Sequence, residues 1–214
     1  MRRYKEDVRT ALPKLPAGKY KTLYVDPPWW QPGSTGFTSG TSGVGHGARI
    51  RGSGAGAIYS IMRQKELLAL APLVQHIIAP TAHLYMWTTN HFLPDALELT
   101  RAYGFEYIKM ITWDKGRDAL GVYYRSCTEH CIFASTKLRL MPQPRPGSVS
   151  AKAVQQGSTF LSEAAGWRGT HSEKPAAMQE MIERVSYGPY LELFARRNPS
   201  RKWDAIGLEL EALQ

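Results

Sequence analysis

Cysteine is scarce. Two thiols in 214 residues exclude a disulfide scaffold and point to a reducing compartment. No apolar stretch approaches the roughly 18 residues that a membrane-spanning helix needs. The opening MRRYKEDVRTALPKLPAGKYK is basic but has no apolar core, so a secretory leader is not expected and the expected location is the cytoplasm. Acidic residues are outnumbered, with 18 Asp and Glu against 27 Lys and Arg and a formal charge of +9. That balance favours a polyanionic partner, most simply nucleic acid. The chain lacks Gly-x-Gly-x-x-Gly, and no Gly-Lys-Ser/Thr follows its glycine-rich stretch, so neither a dinucleotide fingerprint nor a P-loop is expected. Cys127, His130 and Cys131 crowd three ligand types into five residues with no companion cluster, which fails zinc spacing; no metal is expected.

What is present is globular. Hydrophobic residues at 43% and charged residues at 21% suit a packed core, and no repeat or linker divides the chain. A single domain over 1–214 is expected. Five segments read as strands: 22–25, 83–88, 106–113, 131–135 and 190–195. Helical patterns fall between them, at 64–74, at 93–103, and after Pro175, where Met178, Met181, Ile182 and Val185 follow helical spacing. Strands alternating with helices predict a largely parallel α/β sheet, with ligands bound beyond the carboxyl ends of its strands.

Two segments interrupt this pattern. Residues 33–57 hold nine of the 19 glycines together with His46, Arg49 and Arg51. Residues 141–170 are rich in Pro, Gly and Gln and carry Arg145, Lys152 and Arg168. Both read as mobile basic loops, either gripping nucleic acid or serving as passive insertions.

Asp26-Pro27-Pro28-Trp29 closes the first strand and is the strongest chemical signal. An aromatic exocyclic amine such as adenine N6 is a poor nucleophile, because its lone pair is delocalised into the ring. A carboxylate and a backbone carbonyl can accept its two N–H groups and hold the nitrogen in line with an electrophile. Asp26 supplies the first acceptor and the Pro27 carbonyl the second. Pro27 and Pro28 stiffen the turn and present carbonyls without competing N–H groups. Trp29 offers a flat face for a base, worth roughly 1–3 kcal/mol.

Further motifs occur in a fixed order. Asp7-Val8-Arg9 precedes the Asp-Pro-Pro-Trp turn. Leu84-Tyr85-Met86-Trp87, Thr112-Trp113-Asp114-Lys115 and Glu129-His130-Cys131 follow it. HSEKP at 171–175 and LELFAR at 191–196 come next, then Asn198, Trp203 and Gly207. In this order the chain resembles the MT-A70-like adenine-N6 methyltransferases, a branch of the S-adenosylmethionine-dependent enzymes marked by Asp-Pro-Pro-Trp. Leu208-Glu209 stand where that family often has Asn-Gln.

The resemblance implies a Rossmann-like, circularly permuted class I methyltransferase sheet with helices on both faces. It implies S-adenosylmethionine as cofactor, without a metal. Asp7 and Val8 would hold the cofactor's adenine edge. Lys174 would hold its methionine carboxylate or the neighbouring loop. Glu192, Arg196 and Asn198 would hold its ribose and adenine region, close to Asp26. Trp87, Trp113, Lys115 and Glu129 would line the substrate pocket, with Arg49 and Arg51 reaching the nucleic acid. DNA is favoured over RNA, because small stand-alone members of the family are bacterial and phage proteins. The alternatives are an RNA adenine-N6 methyltransferase and a catalytically inactive nucleic-acid-binding subunit. A homodimer or a partner subunit fits the family equally.

Overall fold

The computed structural model describes residues 2–29, 49–51, 58–119, 124, 126–143, 159–162, 174–197, 199–208 and 210. In chain order the elements are β1 (Arg3–Tyr4), α1 (Val8–Ala11), a 3-10 turn (Leu12–Lys14), β2 (Tyr20–Val25), β3 (Arg49–Arg51), β4 (Ile58–Ser60), α2 (Gln64–Leu68), α3 (Ala71–Ile77), β5 (Ile78–Thr88), α4 (Leu93–Ala102), β6 (Phe105–Ala119), β7 (Ser126–Thr136), β8 (Phe160–Ser162), α5 (Ala176–Val185), β9 (Tyr190–Leu193) and β10 (Trp203–Ile206).

Eight strands form one sheet in the order β1-β10-β9-β2-β5-β7-β6-β8. Among the described strands of this sheet, β7 alone runs antiparallel to both neighbours. β9 and β10 come last in the chain, yet β9 pairs directly with β2, with Tyr24 opposite Glu192 and Val25 opposite Leu193. β3 and β4 make a separate two-stranded antiparallel ribbon.

Strand alternation sorts side chains to two faces. Leu23, Val25, Leu84, Met86, Leu191 and Leu193 pack against α1 to α4 through Val8, Ala11, Leu67, Val74, Ala96 and Leu99. Tyr24, Tyr85, Trp87, Trp113 and Trp203 pack on the opposite face against Met178, Met181 and Ile182 of α5. The sheet is therefore Rossmann-like, with helices on both faces.

Helix boundaries follow local chemistry. The pattern over 64–74 splits into α2 and α3 because Pro72, in the first turn of α3, has no N–H to continue the α2 ladder. α4 ends where Gly104 takes φ +90° and its N–H returns to the Arg101 carbonyl at 3.0 Å. α5 begins after Pro175, whose extended backbone precedes the buried Met178.

Candidate active site

Val25 faces α1 to α4, so alternation turns Asp26 to the α5 face, at the carboxyl end of β2. The turn beyond it is tightly bonded. The Trp29 N–H donates to the Pro27 carbonyl at 2.9 Å, and the Met62 N–H donates to the Pro28 carbonyl at 2.9 Å. Trp29 also bridges to Met62 in parallel register. The chain thus leaves the turn at Trp29 and rejoins it at Met62. This differs from the sequence expectation that both proline carbonyls face no internal donor. The Pro27 oxygen keeps a second lone pair, since a carbonyl carries two. The Trp29 ring is stacked on Phe92 at 5.5 Å with 9° between planes, and its indole N–H reaches the Trp87 carbonyl at 3.3 Å. One face of that ring is therefore already occupied.

Asp26 belongs to a charged chain on the α5 face. Lys174 Nζ lies 3.0 Å from Asp26 Oδ2 and 3.2 Å from Glu129 Oε2, and Lys115 Nζ lies 2.5 Å from Glu129 Oε1. Cross-strand register explains the grouping, because Glu129 on β7 pairs with Trp113 on β6, and Lys115 stands two residues beyond Trp113. The Lys174 ammonium sits 5.5 Å from the Trp87 ring centre, and that of Lys115 sits 5.5 Å from Trp113. Trp87 is 0% exposed and Trp113 2%, so both form a floor beneath the charges rather than an open wall.

Burial raises the Asp26 carboxyl above its ordinary value. Lys174 offsets this only in part, and Glu129 adds to the rise. Burial pushes the Glu129 carboxyl up too, but Lys174 and Lys115 outweigh it and hold Glu129 below its ordinary value. Burial alone would lower the Lys174 ammonium, yet Asp26 and Glu129 keep it above the usual lysine range. The trio is thus held as Lys174 cation, Glu129 anion and a less acidic Asp26.

The end of β9 forms the adjoining half. Glu192 is 8% exposed and accepts from Gln179 Nε2 of α5 at 2.8 Å. Burial drives its carboxyl up to about 8, against the opposing effect of Arg197. Beyond it the chain turns at Phe194, which holds φ +61° without being glycine. Arg197 Nη2 then donates to the Lys174 carbonyl at 3.1 Å. Gly207 packs against this turn so closely that a Cβ there would lie 1.9 Å from the Ala195 carbonyl oxygen.

The remaining expected residues divide. Arg196 adds its positive charge to the field around Asp26. Asp7 caps α1 and is held by Arg9, with Oδ1 2.8 Å from the Arg9 backbone N–H and Oδ2 2.7 Å from Nη2. Val8 is 4% exposed and packs in the core beneath α1. Among the described residues Asp7 is bonded to Arg9 and not to the Asp26 cluster. Arg49 and Arg51 stand on β3 of the separate ribbon. Asn198 and His171 lie outside the described residues, as does most of 33–57 and 141–170. Among the described residues no group of three or more His, Cys, Asp or Glu is arranged around a metal position.

Sequence reading missed Arg197, Gln179, Tyr24 and Phe92. Tyr24 and Gln179 leave a signal in register and helix spacing, one opposite Glu192 and one on the first turn of α5. Arg197 leaves none, since Arg196 beside it is the same residue type.

The Asp-Pro-Pro-Trp turn thus ends a central strand of a Rossmann-like sheet, with the buried acid Glu192 on the adjacent strand. A sequence profile of the MT-A70 family matches residues 20–209, and the chain belongs to that family of methyltransferases. It is also 34% identical over 204 residues to the Type II methyltransferase M.MunI of Mycoplasma sp, covering 92% of this chain and 81% of the relative. Membership implies use of S-adenosylmethionine. Among the described residues no helix is long and apolar enough to cross a membrane.

Proposed function

We propose that the chain methylates adenine N6 in nucleic acid, with DNA ahead of RNA as substrate. The observation that carries this reading is the Asp26 carboxylate. It stands at the carboxyl end of β2, fixed by Lys174, beside Glu192 on the same face of the adjacent strand.

The residues present suit S-adenosylmethionine. Glu192 is a buried acid at a strand end, and such acids accept ribose hydroxyls. Arg196 and Asn198 follow it in the chain, and Asp7 and Val8 stand near the β1 end for the adenine edge. When bound, S-adenosylmethionine supplies an electrophilic methyl group on a sulfonium centre. Asp26 accepts one N6–H, and the second lone pair of the Pro27 oxygen accepts the other. This aligns the amine and concentrates its lone pair on nitrogen. The free face of Trp29 takes the base, while Lys115 and Glu129, over Trp87 and Trp113, border the substrate side. Once methylated, the amine becomes acidic and loses its proton to solvent or to Asp26. Lys174 serves the Asp26 side of the site, which is the loop-holding alternative of its two expected roles.

In a duplex N6 is hidden in the stack, so the target adenine must be flipped out or single-stranded. Arg49 and Arg51 belong to β3, which pairs antiparallel with β4 in a separate ribbon. A two-stranded ribbon fits the major groove of B-form DNA, whereas the A-form groove of RNA is too narrow to read. The ribbon supports DNA on that ground. The position of β9 and β10, last in the chain yet adjoining β2, supports a circularly permuted sheet within a single domain. The protein acts alone, as a homodimer or with a partner subunit.

The test is transfer of labelled methyl from S-adenosylmethionine to separate pools of duplex DNA, single-stranded DNA and RNA, with Asp26→Ala as control. N6-methyladenine in the DNA pools, lost in the control, is the expected result. Folded protein that modifies no pool would overturn the reading in favour of an inactive subunit.

A further inference from the structure

We propose that Arg197 is a positioning residue for methyl transfer. It braces the main chain at Lys174 and so keeps the Lys174 ammonium on Asp26. The inference rests on the reading that Asp26 meets the substrate amine.

The Lys174 ammonium is bonded to the Asp26 carboxylate at 3.0 Å. Its own placement depends on its backbone. Pro175 follows it and donates nothing, and the Pro175 carbonyl is committed to the Met178 N–H at 3.0 Å. The Lys174 carbonyl instead receives Arg197 Nη2 at 3.1 Å from the turn after β9. The guanidinium also opposes the rise of the Glu192 carboxyl. A planar, permanently charged fork can serve both at once, which an ammonium cannot match. The turn that presents Arg197 is itself fixed, by Phe194 at φ +61° and by the close approach of Gly207 to Ala195. Arg197 thus acts on Glu192 through its charge and on Lys174 through a hydrogen bond, and Lys174 in turn reaches Asp26 and Glu129. Together they link the strand end that suits the cofactor to the carboxylate that suits the substrate.

The groups acting on Asp26 are Lys174 ahead of α5, Glu129 on β7 and Arg196 beyond β9. Glu192 on β9, Tyr24 on β2 and Cys131 on β7 feel its charge in turn. Of these, Lys174 exerts the largest acidifying influence on Asp26. Releasing Lys174 must therefore raise the Asp26 pKa further, and the acid limb of a rate that requires ionised Asp26 moves to higher pH.

The test uses the full chain and its Arg197→Ala and Arg197→Lys variants. Lys174 reactivity toward an amine-acylating reagent is read by peptide mass spectrometry, with Lys115 as internal control. The pH profile of kcat/KM and the Kd for S-adenosylmethionine are measured alongside. In Arg197→Ala, Lys174 acylation should rise several-fold with Lys115 unchanged, and the acid limb should move up by about one pH unit. Arg197→Lys should restore part of both effects, and it supplies the same readouts should the alanine variant fail to fold. Wild-type acylation and an unmoved acid limb would overturn the proposal. So would loss of cofactor affinity with an unmoved limb, which would make Arg197 a plain cofactor ligand. Acylation needs no nucleic acid, so it decides the brace even where adenine methylation itself proves absent.

Discussion

The Trp87 indole N–H donates to the Tyr24 hydroxyl at 2.6 Å, between two adjacent strands and wholly inside the α5-side core. This bond ties β2, which ends in Asp26, to β5, whose tryptophan lies beneath Lys174. Tyr24→Phe leaves the buried indole N–H without its acceptor at almost unchanged volume. A loss of about 1–3 kcal/mol in stability is expected, read from urea unfolding. Methylation kinetics at a temperature where both proteins are folded should change less than the stability.

Glu192 makes apo stability fall as pH rises. Its folded carboxyl titrates at about 8 against an ordinary 4.5. Between those values the folded state holds a proton that the unfolded state has released. Its stabilising contribution is therefore complete below the unfolded value and is lost as pH rises toward the folded one. Glu192→Gln removes this dependence. The difference in unfolding free energy between variant and wild type should grow with pH across that window, by at most about 1.4 kcal/mol per pH unit. Melts at several pH values without cofactor measure it, and parallel curves would count against the buried acid.

Gly207→Ala should be among the most damaging single-methyl changes in the chain. The new Cβ would fall 1.9 Å from the Ala195 carbonyl oxygen, and backbone cannot rotate aside as a side-chain tip can. β10 must separate from the β9 turn, at a cost of about 3 kcal/mol or more by the scale of overpacked cores. Thermal melting and limited proteolysis would show it, as lower stability and easier cleavage beyond β9.

Arg49→Ala and Arg51→Ala should each lower the steepness with which DNA affinity falls with salt, by about one in log Kd against log salt concentration. Fluorescence anisotropy with a duplex carrying adenine measures this. An unchanged slope in the double variant would remove the ribbon from the binding surface.

Much of the fold was legible because the middle of each long strand is rich in apolar, aromatic or β-branched residues. β2, β5, β6, β7 and β9 all contain or overlap the expected segments, while β5, β6 and β7 extend well beyond them into polar sequence that carries no strand period. β1 and β10 were not legible. A two-residue strand has no period, and the Trp203–Ile206 run gains its strand identity by pairing with β9 on one side and β1 on the other. Asp26, Lys174, Glu129 and Lys115 were named from sequence and do meet, but the arrangement of Lys174 between two carboxylates is a property of register. Trp29 shows the limit most clearly. Its motif marks a base-stacking surface, whereas the partner already on one face, Phe92, is 63 positions away in the chain and invisible to a local reading.

The junction between Trp29 and Met62 makes the chain between them a loop closed at its own root. Closing such a loop costs little more as it lengthens, about 0.6 kcal/mol for each doubling. The socket can therefore accept inserts of different size and sequence while Asp26 stays in register. Changes in the length of chain between Trp29 and Met62 therefore need not disturb the turn that carries Asp26.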